Sequence, residues 1–371
     1  MAGSKGYIEI LNGNRRGVLA SSIRGVLWGA SKAYGGLLRL RNTWYDSLAL
    51  PKWLDVPVIS VGNLTVGGTG KTPMCGWLCR TLLDRGLKPA VLSRGYRASR
   101  EGLADELVML SRQFPQAVLV AHPDRYRAGL MATECYGAQA VILDDGFQHR
   151  RVGRDLDLLL IDTTRPFGFG HVLPRGLLRE PARGLLRADC VVLTRCDQTE
   201  PQQVETLQAE IRRLHPQVPM VRAVHRPRGF TGLDGKPMEV GSGTRIGCFS
   251  GIARPDAFEQ TLAAYGIRPA DTQQWPDHHE YTAADADLIR RWVEQAKLDK
   301  LVTTEKDAVR LAALKIDWPV PIGALHIEME MLDDGEAVLN GLVDGMLKEH
   351  LQPAPADGEN NGDADEEHSC N

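Results

Sequence analysis

The chain lacks any uninterrupted apolar run long enough to span a bilayer, and no signal peptide is read at its start. None of its seven cysteines forms a C-x-x-C pair, which argues against a zinc site or a disulfide framework. Most of them sit in apolar runs as small hydrophobes, so a reducing compartment is expected. No internal repeat is present. Lys and Arg are missing from Pro353 to Asn371, where six acids accompany Ala, Gly, Pro and Asn without apolar period. Residues 351–371 are therefore read as a disordered acidic tail. The net charge is −3, and without that tail the remainder would carry +3.

Acids are scarce at the other end. From Met1 to Tyr45, Glu9 stands alone against seven Lys or Arg. Leu19, Ile23, Val26, Leu27, Ala30, Tyr34 and Leu37 recur at helical spacing, with Trp28 beside them. A basic, aromatic-edged amphipathic helix fits a membrane interface. The alternative is a surface helix that packs its stripe on the protein's own core. Five glycines (Gly17, Gly25, Gly29, Gly35 and Gly36) weaken it as an isolated helix.

What the 371 residues do contain is an ordinary globular composition, 43% apolar and 25% charged, enough for two domains. The β-branched run Val58-Ile-Ser-Val61 leads into a glycine-rich loop and then a helical pattern. Gly67, Gly68 and Gly70 let the backbone turn its amides inward on an anion, and Thr65 and Thr69 lie in the same loop. Lys71 is placed to reach phosphates and Thr72 to meet Mg²⁺, at the positive end of a helix. Pro73 suits the first turn. Thr65 stands where the full pattern has its first glycine.

Apolar runs at 90–96, 118–120, 140–143, 156–161, 190–194 and 220–224 alternate with helical patterns near 125–136 and 202–214. This order predicts an α/β fold with a doubly wound parallel sheet of the P-loop NTPase type. Composition shifts at His225. The expected division is a membrane-associating segment (1–45), a P-loop domain (46–225), a hinge (226–245) and a smaller α/β domain (246–350). Leu143 is followed by Asp144 and Asp145, a strand-end carboxylate pair able to hold Mg²⁺ or its waters. Alternation along a strand would send the two to opposite faces. Asp105-Glu106 by itself reads as solvated surface.

These pieces occur in order with others: Val61-Gly-Asn-Leu-Thr-Val-Gly-Gly-Thr-Gly-Lys-Thr-Pro73, Ser93-Arg-Gly-Tyr96, Leu143-Asp-Asp-Gly-Phe-Gln-His149, Leu173-Pro-Arg-Gly-Leu-Leu-Arg-Glu-Pro181, Phe249-Ser-Gly-Ile-Ala253, Pro276-Asp-His-His279 and Thr304-Glu-Lys-Asp307. From about Tyr7 to Val343 the chain resembles the tetraacyldisaccharide 4′-kinase family. The resemblance implies an ATP-dependent kinase of lipid A disaccharide 1-phosphate, peripheral on the cytoplasmic face of the bacterial inner membrane; a monomer without a nucleic-acid partner is expected. It also accounts for Thr65, since the family's loop lacks that glycine.

The roles it implies are specific. Lys71 and Thr72 match the loop lysine and the metal-binding hydroxyl. Asp105 matches the base, aided by His278, and Glu106 and Asp145 match metal-site carboxylates. Asp144 is implied to contact Lys71, and Gln148, His149, Arg179 and Glu180 to lie near the lipid-binding face. Ala104 and Leu107 stand where the family has Gly and Pro, so Asp124 is a second candidate for the base. Two other readings compete: a deviant-loop positioning ATPase, against which Val66 replaces a lysine, and a GTPase switch, against which Arg195 replaces the lysine of a guanine-reading loop.

Overall fold

In the computed structural model residues 2–95, 105–241, 243–277 and 279–351 are described. The chain opens with helices α1 (Ala2–Leu11) and α2 (Val18–Ser47). An alternating series follows: β1 (Val58–Asn63), α3 (Lys71–Leu83), β2 (Pro89–Ser93), α4 (Asp105–Gln113), β3 (Val118–Ala121), α5 (Arg125–Leu130), β4 (Ala140–Asp144), β5 (Leu156–Asp162), β6 (Cys190–Thr194) and α6 (Pro201–Leu214). The long strand β7 (Met220–Gly232) turns into the short β8 (Pro237–Met238). The second half comprises β9 (Ile246–Ser250), α7 (Pro255–Ala264), β10 (Asp271–Gln274), α8 (Ala283–Ala296), β11 (Lys300–Thr304), α9 (Glu305–Ala312), β12 (Ile322–Met331) and α10 (Gly335–Leu351).

All the strands join one sheet, ordered β10-β9-β11-β12-β7-β6-β5-β1-β4-β2-β3 with β8 on β7. Pairing is parallel except where β12 and β8 meet β7. β1 lies between β4 and β5 and is buried along its whole length, its polar Ser60 and Asn63 included, as a central strand of a covered parallel sheet is. Its C-terminal end, where the phosphate loop departs, is the place where such sheets bind ligands.

Three findings depart from the sequence reading. β7 does not stop at Val224 but continues to Gly232, pairing first with β6 and then with β12. The Gly-, Pro- and Arg-rich composition there reflects a strand with an exposed face, and Leu233–Lys236 makes the expected hairpin turn, Gly232 N–H donating to Lys236 C=O at 2.7 Å. The boundary drawn at 350 does not follow the packing. Leu339, Val343 and Met346 of α10 share a core with Leu158, Cys190 and Val221 of the first half. Finally, the helix expected over 125–136 is α5 followed by a wide π turn over Met131–Cys135.

The amino-terminal helix divides its predicted stripe between protein and solvent. The face of α2 that meets the protein is made of Ala20, Ser31, Gly35 and Leu38, with Ser31 Oγ donating to Val172 C=O at 2.7 Å and Gly35 lying against the Val172 side chain. Leu19, Val26 and Leu37, all read as the apolar stripe, are 74%, 74% and 65% exposed. Ile23 and Leu27 of the same stripe are half-buried, so the stripe meets the protein only in part. Among the described residues, no helix is long and apolar enough to cross a membrane.

Candidate active site

The phosphate loop is held open from outside. Asn63 Nδ2 donates to Thr65 C=O at 2.7 Å, Val66 N–H to Leu177 C=O at 2.9 Å, and Thr194 Oγ1 to Thr69 C=O at 2.9 Å. Thr65 forms an antiparallel bridge with Leu178. Gly67 and Gly70 take φ of +118° and +95°, values that favour glycine. At Gly70 there is a second reason: a Cβ would fall 2.5 Å from Nε2 of the buried His225. Thr69 is buried, while Val66, Gly67 and Gly68 face solvent. Gly70 offers no side chain to cap α3, so the first amides of that helix are left for an anion.

Lys71 leads that helix into the site. Its Nζ lies 3.4 Å from Asn63 Oδ1 and 3.4 Å from Asp145 Oδ1. The direct ion pair is thus with Asp145, not with Asp144 as the resemblance implied. The expectation of opposite faces fails for a related reason. β4 ends at Asp144, and Asp145 adopts φ +55°, outside the strand, so alternation no longer applies. Arg179 Nη1 donates to both Asp145 oxygens at 2.8 and 2.7 Å. Although burial alone would raise the Asp145 pKa, Lys71 and Arg179 more than offset it and hold the carboxyl at about 2. Asp144 has no such contact among the described residues. Its near neighbour is Cys75 Sγ at 3.9 Å, and burial pushes its pKa up to about 6 against the pull of Lys71.

Asp105 and Glu106 are not solvated surface. They form the first turn of α4, both partly buried, and each is gripped by a cation of α9. Arg310 Nε lies 2.6 Å from Asp105 Oδ2, and Lys306 Nζ lies 2.6 Å from Glu106 Oε1. No helix is expected here from the sequence reading above; the sign it passes over is the spacing of three and four between Leu107, Leu110 and Phe114, all buried. Asp124 is committed elsewhere: its Oδ1 accepts from Tyr126 and Arg127 N–H, capping α5. His278 lies outside the described residues. Its neighbour His279 faces Asp285 at 3.0 Å.

The remaining candidates form a wall behind the loop. Gln148 Nε2 donates to Asn63 C=O at 2.7 Å and to Glu180 Oε1 at 3.0 Å. Glu180 is fully buried, and it also accepts from Arg187 at 2.9 Å and from Asn42 of α2 at 3.3 Å. It therefore ties the amino-terminal helix to the strand that carries the loop. His149 is half-buried, and burial, reinforced by Arg125 and Arg154, holds its pKa at about 4.

Sequence reasoning assigned no role to Asn63, Arg125, His225, Lys306 or Arg310. Arg125 is 4% exposed and lies in the field of Asp144 and Asp145, with one bond from Nη1 to His122 C=O at 3.2 Å. Arg195 is buried and paired with Asp162, which Arg254 also holds at 2.9 Å. A residue turned inward in this way cannot read a guanine.

A glycine loop between a central parallel strand and a helix, a lysine at the helix start and acids at the next strand end define a P-loop phosphotransferase. The profile of the family described as Tetraacyldisaccharide-1-P 4′-kinase matches residues 23–346. The chain is 38% identical over 360 residues to the tetraacyldisaccharide 4′-kinase of Geobacter sulfurreducens, covering 91% of this chain and 98% of that one. It is 40% identical over 321 residues to that of Syntrophus aciditrophicus, covering 79% and 85%. The crystal structure of LpxK from Aquifex aeolicus in complex with ATP superposes with a TM-score of 0.68 at 28% identity, over 88% of this chain and 99% of that one. The chain belongs to the tetraacyldisaccharide 4′-kinase family and is an ATP-dependent kinase.

Proposed function

We propose that this chain moves the γ-phosphoryl group of Mg-ATP to the 4′-hydroxyl of a tetraacyldisaccharide 1-phosphate, working at the cytoplasmic surface of the inner membrane. The observation that carries the assignment of roles is the convergence on Lys71. Asn63 from β1, Asp145 beyond β4 and the phosphate loop meet there, and the field of Glu106 on α4 reaches the adjoining Asp144.

Phosphoryl transfer asks for positioning and charge neutralisation more than covalent help. The loop amides and Lys71 take the charge of the β- and γ-phosphates. Asp105 accepts the hydroxyl proton as the new O–P bond forms and the bond to the β–γ bridging oxygen breaks. His278 assists Asp105 in this reading. Thr72, Glu106 and Asp145 offer oxygen donors alone, the set that suits Mg²⁺. Among the described residues no three acids or imidazoles already converge on an ion site. Mg²⁺ needs one or two carboxylates when phosphates complete its shell, so these residues fit it. Asp144, enclosed and without a cationic contact, is a further carboxylate that a nearby dication would relieve. When bound, the ion would neutralise phosphate charge.

α2 supplies the membrane contact. Lys32 Nζ lies 5.2 Å over the Trp28 ring, and Trp28, Val26, Leu37, Leu40 and Trp44 face outward. Basic groups near an anionic surface gain about 1 kcal/mol each.

The test is one assay with purified protein, Mg-ATP and a lipid A disaccharide 1-phosphate. Asp105→Asn is expected to keep nucleotide affinity and lose roughly 10²–10⁴-fold in turnover. Lys71→Ala is expected to lose both, and Asp124→Asn to keep turnover. Full activity in Asp105→Asn removes the base assignment.

A further inference from the structure

We propose that Lys306 and Arg310 are positioning residues of the transfer site: one turn apart on α9, they hold Glu106 and Asp105 and close the second half of the molecule on the first. The inference deepens the roles given above to Asp105 and Glu106 and rests on them.

The cations are built for the task. Residues four apart on a helix share a face, and these two both point at the first turn of α4. Arg310 is 9% exposed in its side chain and is itself fixed. Its Nη1 lies 3.3 Å from Gly251 C=O and 3.4 Å from Asp307 Oδ1. Asp307 is fully buried and accepts from Thr304 Oγ1 at 2.7 Å, Gly251 N–H at 3.0 Å and Tyr281 O–H at 3.2 Å. The guanidinium that grips Asp105 is thus propped from the core of the other half. Lys306 is the more exposed partner, with 29% of its side chain open to solvent. It also bears on Asp144 at the end of β4, so the charge of α9 reaches the carboxylate beside Lys71.

Two consequences follow, and they have different signs. Arg310 orients the carboxylate that must meet the hydroxyl, so its loss lowers turnover while ATP binding on the first half persists. Lys306 occupies Glu106 before a dication does, so it competes with the ion in the nucleotide-free enzyme. A residue that merely supported the fold would weaken both functions together when removed.

The experiment measures Mn²⁺ alone by electron paramagnetic resonance on nucleotide-free full-length protein, and steady-state kinetics on the same preparations. Lys306→Ala is expected to bind Mn²⁺ about 3- to 10-fold more tightly than wild type, as removal of a like charge near a carboxylate requires. Lys306→Arg keeps the pair and wild-type Mn²⁺ affinity. Arg310→Gln is expected to lower kcat by about 10²-fold with the KM for ATP within about threefold. Arg310→Lys, which retains the charge, recovers part of that loss. Unchanged or weaker Mn²⁺ binding in Lys306→Ala overturns the proposal, as does wild-type kcat in Arg310→Gln. Failure of the base assignment is seen separately, as turnover retained in Asp105→Asn.

Discussion

Asp144 and Asp145 are neighbours in sequence and opposites in titration. Asp145 is held at about 2 because Lys71 and Arg179 more than offset its burial, and Asp144 is raised to about 6 because burial outweighs the pull of Lys71. An unfolded aspartate titrates near 3.9. The raised folded value means that ionising Asp144 costs the native state more than the unfolded one. Stability therefore falls as pH rises from about 4 to about 6 and then levels. Asp144→Asn removes that loss. In metal-free buffer the variant is expected to be more stable than wild type at pH 7 by on the order of 2 kcal/mol, with a smaller gap at pH 4.5. Urea melts at the two pH values check this, and an equal gap at both would refute it. Asp145 acts in the reverse sense: its contribution is present above about pH 4 and is lost as pH falls towards 2.

At the scale of the element, α2 shows what a helix does when its large residues have no protein to meet. Ala20, Ser31, Gly35 and Leu38 seat it, and Asn42 reaches Glu180 behind the phosphate loop. Deleting the helix would disturb that buried carboxylate as well as any membrane contact. Substitutions on the outer face separate the two effects. Replacing Val26, Leu37 and Leu40 together with Ser is expected to abolish binding to anionic vesicles in flotation assays, while affinity for ATP stays within about twofold of wild type, since exposed substitutions cost little stability. Vesicle binding that survives the triple change would remove α2 as the anchor.

The same helix marks how far sequence reading goes. Its period was visible, but which stripe faced inward was not, because the seat is made by Gly35 and Ser31 against Val172, far away in sequence. The loop from Gly67 to Thr72 was legible because its chemistry is local. The partners of Asp105 and Glu106 were not, because they come from α9, about 200 residues later, and ion pairs leave no periodic trace. β12 and α10 went unread for the same reason: their meaning lies in pairing with β7 and in a core shared with β5 and β6.

At the scale of the molecule, the chain crosses to the second half and then returns. α10 is clasped to α3 by Arg85, which bonds Asp344 at 2.8 Å and Asn340 at 2.9 Å. Leu339→Ala, at a position with no exposure, is expected to cost about 2–4 kcal/mol. Hydrogen exchange should then quicken in β5 and β7 before α8 and β11. Loss confined to α8 and β11 would show that α10 serves the second half instead.

β7 has a consequence of a mechanical kind. It starts beside β6, runs on beside β12, and carries His225, paired with Met329 of β12, against Gly70. One run of backbone thus joins the two halves of the sheet and backs the phosphate loop at Gly70. A side chain added at Gly70 would press on His225 of β7 and Met329 of β12 together, so the bareness of that one position keeps the loop and the shared strand pair in register.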